Sequence, residues 1–303
     1  MQNWLERLFQ IPVAEQGKTA LVLGYIFLTA SACVVGRTAA DTLFLSRVGP
    51  DQLAWMYLVS ALVVAVAATL FARLARGVTL RSLIAVTHIV LAAASYVFRW
   101  VLMDYHHHLY VIAPIYLLSE VQGAMAAILF ATVLNELFRG SDAQGVFGIA
   151  GVGSTLAGIV FGGLMALESD DVPVANLLYV MAVLHAAALL GVAVFRPARD
   201  AYATSAAPDS EVLPTPVDAE VNAALVDDFG SRPEQEAVVP PRYQRWLVGL
   251  AIVQFPAITL VSFQWKIAVH DAFHYSEDAM AAYFGGYYAV VNVITMVLQI
   301  TLA

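Results

Sequence analysis

Long stretches of the chain are apolar on every helical face and are broken at intervals by charged or turn-forming residues. A helix needs about 20 apolar residues to cross about 30 Å of hydrocarbon. Runs of that length fall at 18–48, 52–75, 78–103, 109–138, 142–167, 173–195, 244–269 and 278–303. A barrel strand would alternate with period two, whereas IAVTHIVLAAASYVF at 84–98 and YVMAVLHAAALLGVAVF at 179–195 are apolar all round. The pattern predicts an all-α polytopic bundle of eight spanning helices.

Outside these runs the chain changes character. Residues 1–17 place Trp4, Leu5, Leu8 and Phe9 on one side of a short helix, with Glu6 and Arg7 on the other, which predicts an interfacial segment lying on the membrane. Residues 196–243 are rich in proline, alanine and acid and poor in aromatics, so they cannot bury enough apolar surface to order themselves. They predict a disordered acidic linker between a six-helix half, 18–195, and a second set of helices, 244–303. Six helices, a long linker and a new start is the layout of the major facilitator architecture. The end at VLQITLA lacks interfacial residues, so the expectation is a second half cut off after two helices.

Composition sharpens this picture. The chain has 303 residues, 60% hydrophobic and only 13% charged, which is membrane-protein usage. If the helices alternate, Arg7, Lys18, Arg73, Arg76, Arg81, Arg139, Arg196, Arg199, Arg232, Arg242 and Arg245 share one side, leaving Arg47, Arg99 and Lys266 on the other. The positive-inside rule then puts the N-terminus in the cytoplasm and the protein, multi-pass, in the cell (inner) membrane. The single cysteine, Cys33, excludes an intrachain disulfide. The net charge of −8 owes much to the linker. The lipid bilayer is the expected partner, nucleic acid is not, and a monomer is expected.

Candidate chemistry lies where charge interrupts the apolar runs. An ionisable group inside hydrocarbon costs about 3 kcal/mol or more unless it is paired or faces water. Arg37 and Asp41, in CVVGRTAADTLFLS, stand four apart and can pair on one helical face. Glu120 lies eleven residues below Leu109, as Arg37 lies eleven below Val48. Each is thus about 17 Å deep at 1.5 Å per residue, so helices 1 and 4 could pair them. Tyr116, Glu120, Gly123, Ala127, Ala131 and Asn135 form one small or polar stripe that lines either a cavity or a close helix contact, with Gln122 beside it. An ion pair that only fixes packing and a solute- or ion-coupling site both fit.

Near the outer end of helix 7, FQWKIAVHDAF offers Gln264 and Lys266, the latter either a site residue or a snorkelling interfacial charge. Tyr287, Tyr288 and Asn292 on helix 8 would face a cavity if the two halves repeat one another. Arg73, Arg76 and Arg81 fit a gating turn, or topology alone. GVGSTLAG at 151–158 lacks the Gly-Lys-Ser/Thr ending of a phosphate loop, and Ser154, Gly158 and Gly162 read as tight helix packing. His106, His107 and His108 are consecutive, which suits a solvated loop better than a metal site. There is no catalytic triad, metal cluster or nucleotide-hydrolysis motif, so no enzyme, metal or cofactor is expected.

Residues 119–163, SEVQGAMAAILFATVLNELFRGSDAQGVFGIAGVGSTLAGIVFGG, resemble helices 4 and 5 of the ATP/ADP translocase family of bacterial and plastid nucleotide transporters. FQWKIAVHDAF with AAYFGGYYAVVNVITMVLQ resembles their helices 7 and 8, and TAADTLFLS the end of their helix 1. The resemblance implies an ATP:ADP antiporter-like protein with a nucleotide as its small anionic solute. Glu120 matches the family's helix 4 acid and Asp41 the aspartate after its helix 1 lysine. That lysine position is Ala40 here, with Arg37 one turn earlier; the helix 7 acid position is Ser262, and the Trp-Lys beside it is kept as Trp265 and Lys266. The expectation is a secondary transporter of an anionic solute working by alternating access. Arg37 is its anion-binding group, with Glu120 as counter-charge or proton-coupling acid. The alternatives are a transporter for another small solute and a non-transporting membrane sensor or anchor.

Overall fold

The computed structural model describes residues 16–75, 77–105, 108–137, 143–169, 171–194 and 241–302. The expected surface helix at the N-terminus and most of the acidic linker lie outside the described residues, as do Arg76, His106, His107 and Arg139. The described residues are helical throughout, without a strand: α1 Gln16–Arg47, α2 Leu53–Ala75, α3 Leu80–Asp104, α4 Leu109–Leu137, α5 Ala143–Glu168, α6 Leu177–Val194, α7 Pro241–Phe273 and α8 Glu277–Leu302. Seven of them are long and apolar enough to cross a membrane. They are the helices of a multi-pass membrane protein. The exception is the span expected at 173–195: after Pro173 the chain makes a 3-10 turn, Val174–Asn176, and α6 adds a shorter apolar stretch, Val174–Leu190.

Local chemistry sets the helix ends. Gly49, at φ 88°, closes α1, its N–H and that of Val48 both returning to the Phe44 carbonyl. A left-handed residue there satisfies carbonyls the helix would leave orphaned, and glycine adopts it without a Cβ clash. Thr79 caps α3, its hydroxyl accepting from the Ser82 N–H. Between α7 and α8 the chain turns through His274 and Tyr275, both at positive φ. Glu277 and Asp278 then occupy the first turn of α8, where the helix dipole favours acid.

The chain divides into two compact units, one of residues 1–197 with 265–303, the other of residues 198–264. The described part of the second is nearly the first three quarters of α7, with large apolar side chains such as Trp246, Phe255 and Leu260 exposed. In the first unit α1 is central and packs on α4, α5, α6 and α8; α3 lies on α6 and α4, α2 on α4, and α8 on α5. The core joins Val22, Tyr25 and Ile26 of α1 to Phe71, Ile84, Met125, Leu129, Val133 and Ala188. Between Ala30 and Leu45 only Cys33, Val34 and Arg37 of α1 escape full burial, and these three share one face.

The α5–α8 contact is made by missing side chains. A Cβ on Gly162 would stand 2.7 Å from the Gly285 carbonyl oxygen, and one on Gly285 would meet the Gly162 oxygen and the Met165 Cβ at the same distance. Gly158 lies against the Asn292 amide. Backbones this close are what small residues permit where lipid supplies no hydrophobic drive. The glycine-rich run of α5 is therefore a packing surface; the Ser154 and Thr155 hydroxyls both donate to the Gly151 carbonyl of their own helix.

Candidate functional site

The last third of α1 carries three ionic residues, Arg37, Asp41 and Arg47, and each pairs with a different helix. The Arg37 guanidinium donates from Nη2 to Glu120 Oε2 of α4 at 2.7 Å. Lys266 Nζ of α7 donates to Asp41 Oδ1 at 2.6 Å and to the Tyr116 hydroxyl at 3.0 Å. Arg47 grips Glu277 of α8 with two bonds, Nε to Oε1 at 2.6 Å and Nη2 to Oε2 at 3.0 Å. Four residues separate the first two α1 charges and six the next two, or about 6 and 9 Å along the axis.

One expectation is corrected here and one open alternative is decided. Asp41 pairs with Lys266 and not with Arg37. An Arg-to-Asp order at i and i+4 is the less favourable orientation on one helix, while α7 offers a short charge-assisted bond with a tyrosine hydroxyl alongside. Lys266 does not snorkel to an interface: its side chain and that of Asp41 are each 2% exposed, and its ammonium also lies 5.0 and 5.5 Å from the Tyr116 and Tyr57 ring centroids.

The pairs differ in access to solvent. Against that sealed pair, the Arg37 and Glu120 side chains are 36% and 20% exposed. Arg37 shares its open face with Cys33 and Val34, and on α4 the small stripe continues the opening. Ala127, Ala131 and Asn135 are exposed, and a Cβ on Gly123 would meet nothing within 4 Å, while Met125, Leu129 and Val133 of the opposite face are buried. Within this unit the stripe lines open space and not a close helix contact. Tyr288 of α8 lies in electrostatic range of Arg37.

The remaining candidates scatter. Gln122 is fully buried against Gly36 of α1, where a Cβ would stand 2.7 Å from its Oε1. Asn135 lies fifteen residues along α4 from Glu120, about 22 Å away. Tyr287 packs on Trp265 with ring centroids 4.5 Å apart. Asn292, expected on a cavity face, is turned onto Gly158 in the α5–α8 contact, its amide donating to the Tyr288 carbonyl. Gln264 is exposed and belongs to the other compact unit. An apolar cavity of about 210 Å³ between α5, α6 and the start of α8, with Phe161, Met165, Leu177 and Ala281 in its wall, touches none of them.

Sequence reasoning missed a second polar cluster. His88 of α3 and His185 of α6, both fully buried, face each other at 2.9 Å between Nδ1 atoms, and His88 Nε2 reaches the Tyr25 hydroxyl at 3.1 Å. With one imidazole donating and the other accepting, the bond forms between neutral rings, and Tyr25 belongs to the hydrophobic core with Ile84, Leu129 and Ala188. The available signal was a lone histidine in each of two apolar spans. Glu277 was also passed over, standing in a short loop where an acid looked unremarkable. No group of three or more metal-ligating side chains occurs among the described residues.

Comparison with protein-family models, with curated proteins and with solved structures gives no match. What the site does must be argued from its own geometry.

Proposed function

We propose that the chain is a secondary membrane transporter of the major facilitator type, holding the anionic group of a small solute on Arg37 with Glu120 as its counter-charge. One observation carries this reading. An ion pair that serves only packing can be sealed, as Asp41–Lys266 is, yet Arg37–Glu120, about 6 Å deeper along α1, is left open beside a stripe of small residues. Charged side chains that face open space within a span mark solute or ion pathways by default. Guanidinium suits that task, since its planar fork takes a carboxylate or phosphate through two bonds.

The other pairs support alternating access. Asp41–Lys266 and Arg47–Glu277 draw α1 against α7 and α8 on the Arg47 side of the site, the outer side if the basic loops are cytoplasmic. These pairs hold the Arg47 side of the site together, as one of the two states of such a carrier requires. Nucleotides join the candidate solutes through the resemblance of residues 119–163 to ATP/ADP translocases.

Reconstituted protein tests the proposal. Arg37→Ala is expected to lower uptake or exchange of the solute by roughly 10–100-fold, the loss of one charge-assisted contact. If no nucleotide, carboxylate, amino acid or sugar is taken up by the wild type, the protein is a membrane anchor or sensor and the transporter reading is wrong.

A further inference from the structure

Resting on that reading, we propose that the solute is a zwitterion of the α-amino-acid kind, its carboxylate taken by Arg37 and its ammonium by Glu120. The geometry points to this through charge balance. The site's two cations, Arg37 and Lys266, are matched one for one by Glu120 and Asp41. Lys266, sealed by Asp41 and Tyr116, has no exposed surface to offer a solute. The accessible chemistry is one guanidinium and one carboxylate in contact at 2.7 Å.

A polyphosphate arriving there would bring several negative charges to a site whose two cations are each already neutralised by a carboxylate. Like charge at such short range is strongly unfavourable where solvent is scarce. A monoanion on the free donors of Arg37 would bring a negative charge that no cation of the site matches, next to Glu120. A solute with an ammonium and a carboxylate on one carbon brings both signs instead. Its carboxylate takes free Arg37 donors, its ammonium takes the free Glu120 oxygen, and no charge is left over.

The hydrogen-bond inventory agrees. Arg37 uses one of its five N–H donors on Glu120, and Glu120 uses one oxygen. Both groups keep capacity for a second partner while still touching. The open ground at Gly123 and Ala127, one and two turns along from Glu120, leaves room for a solute side chain of varied size.

Proteoliposome uptake decides the matter, with matched probes. Alanine, leucine, phenylalanine and glutamine are each compared with the acid that lacks the amino group, and all with ADP and ATP. The wild type is expected to take at least one amino acid about tenfold or more in preference to its deaminated partner, because the partner brings an unmatched negative charge beside Glu120. Glu120→Gln is expected to reverse the preference, since Arg37 is then an uncompensated cation and a plain carboxylate satisfies it. A packing role for Glu120 would not produce that exchange of preference. Glu120→Asp, which keeps the charge, is expected to keep the amino-acid preference, and its result decides the question if Glu120→Gln does not fold. Uptake of ADP, ATP or the plain acids by the wild type at rates equal to or above those of the amino acids overturns the zwitterion while leaving a transporter. Uptake of nothing overturns both.

Discussion

At the scale of single residues, a charge inside the bundle matters through what is left behind when its partner goes. Lys266→Met would remove the ammonium that pairs with the buried Asp41 carboxylate, whose Oδ2 is already without a hydrogen-bond partner. The expected cost is about 3–5 kcal/mol. Adding Asp41→Leu should recover most of it, because an apolar pair of similar volume needs no counter-charge. Thermal unfolding midpoints of the detergent-purified variants would read this, and a Lys266→Met protein as stable as wild type would contradict the sealed pair. The sequence showed which residues were costly but not who paired with whom. Arg37, Asp41, Glu120 and Lys266 all stood out as charges in apolar runs, whereas the Asp41–Lys266 bond joins positions 225 apart in the chain. Spacing within one helix suggested a local Arg37–Asp41 pair, and tertiary contact replaced it. His88 and His185 were legible by the same rule and were overlooked because each, alone, resembles an ordinary core histidine.

At the scale of helices the hydrophobic pattern carried nearly everything, because a segment in lipid must satisfy its backbone internally. The expected spans at 52–75 and 109–138 became α2, Leu53–Ala75, and α4, Leu109–Leu137. The 173–195 span lost its first turn because Pro173 offers no N–H and the chain passes through a 3-10 turn before α6 begins. Small residues marked α5 as a packing helix, yet the choice of α8 as its neighbour could not be read, since glycine spacing names a surface and not its occupant. That contact makes a contrasting pair of substitutions. Gly285→Ala would drive a methyl into the Gly162 oxygen and is expected to cost about 1–3 kcal/mol, whereas at Gly286 the added Cβ meets only the Ala166 Cβ at 3.7 Å and should be tolerated. Unfolding midpoints again discriminate; equal losses at 285 and 286 would deny the close approach.

At the scale of the whole first unit, the three ion pairs grade from sealed to wet, and their responses should differ accordingly. The side chains of Arg47 and Glu277 are 13% and 29% exposed, so salt screens this pair far more than Asp41–Lys266. Cys33, the only cysteine, is half-buried one turn before Arg37 and on its open face, so alkylation of the native thiol reports access to the site. Glu277→Gln is expected to speed its reaction with an impermeant maleimide added from the Arg47 side by a few fold, and high salt should act on the wild type in the same direction. Lys266→Met combined with Glu277→Gln should exceed either alone. Unchanged labelling in all three would remove the ion pairs from any part in closing that side. Because positions 37, 41 and 47 ride on one unbroken helix, they are points along a single lever. A tilt of α1 pivoting near its core contacts at Val22, Tyr25 and Ile26 displaces Arg47 most and Arg37 least. The joints would therefore part from the rim inward and reseat in the reverse order, leaving the Arg37–Glu120 contact last to feel the motion.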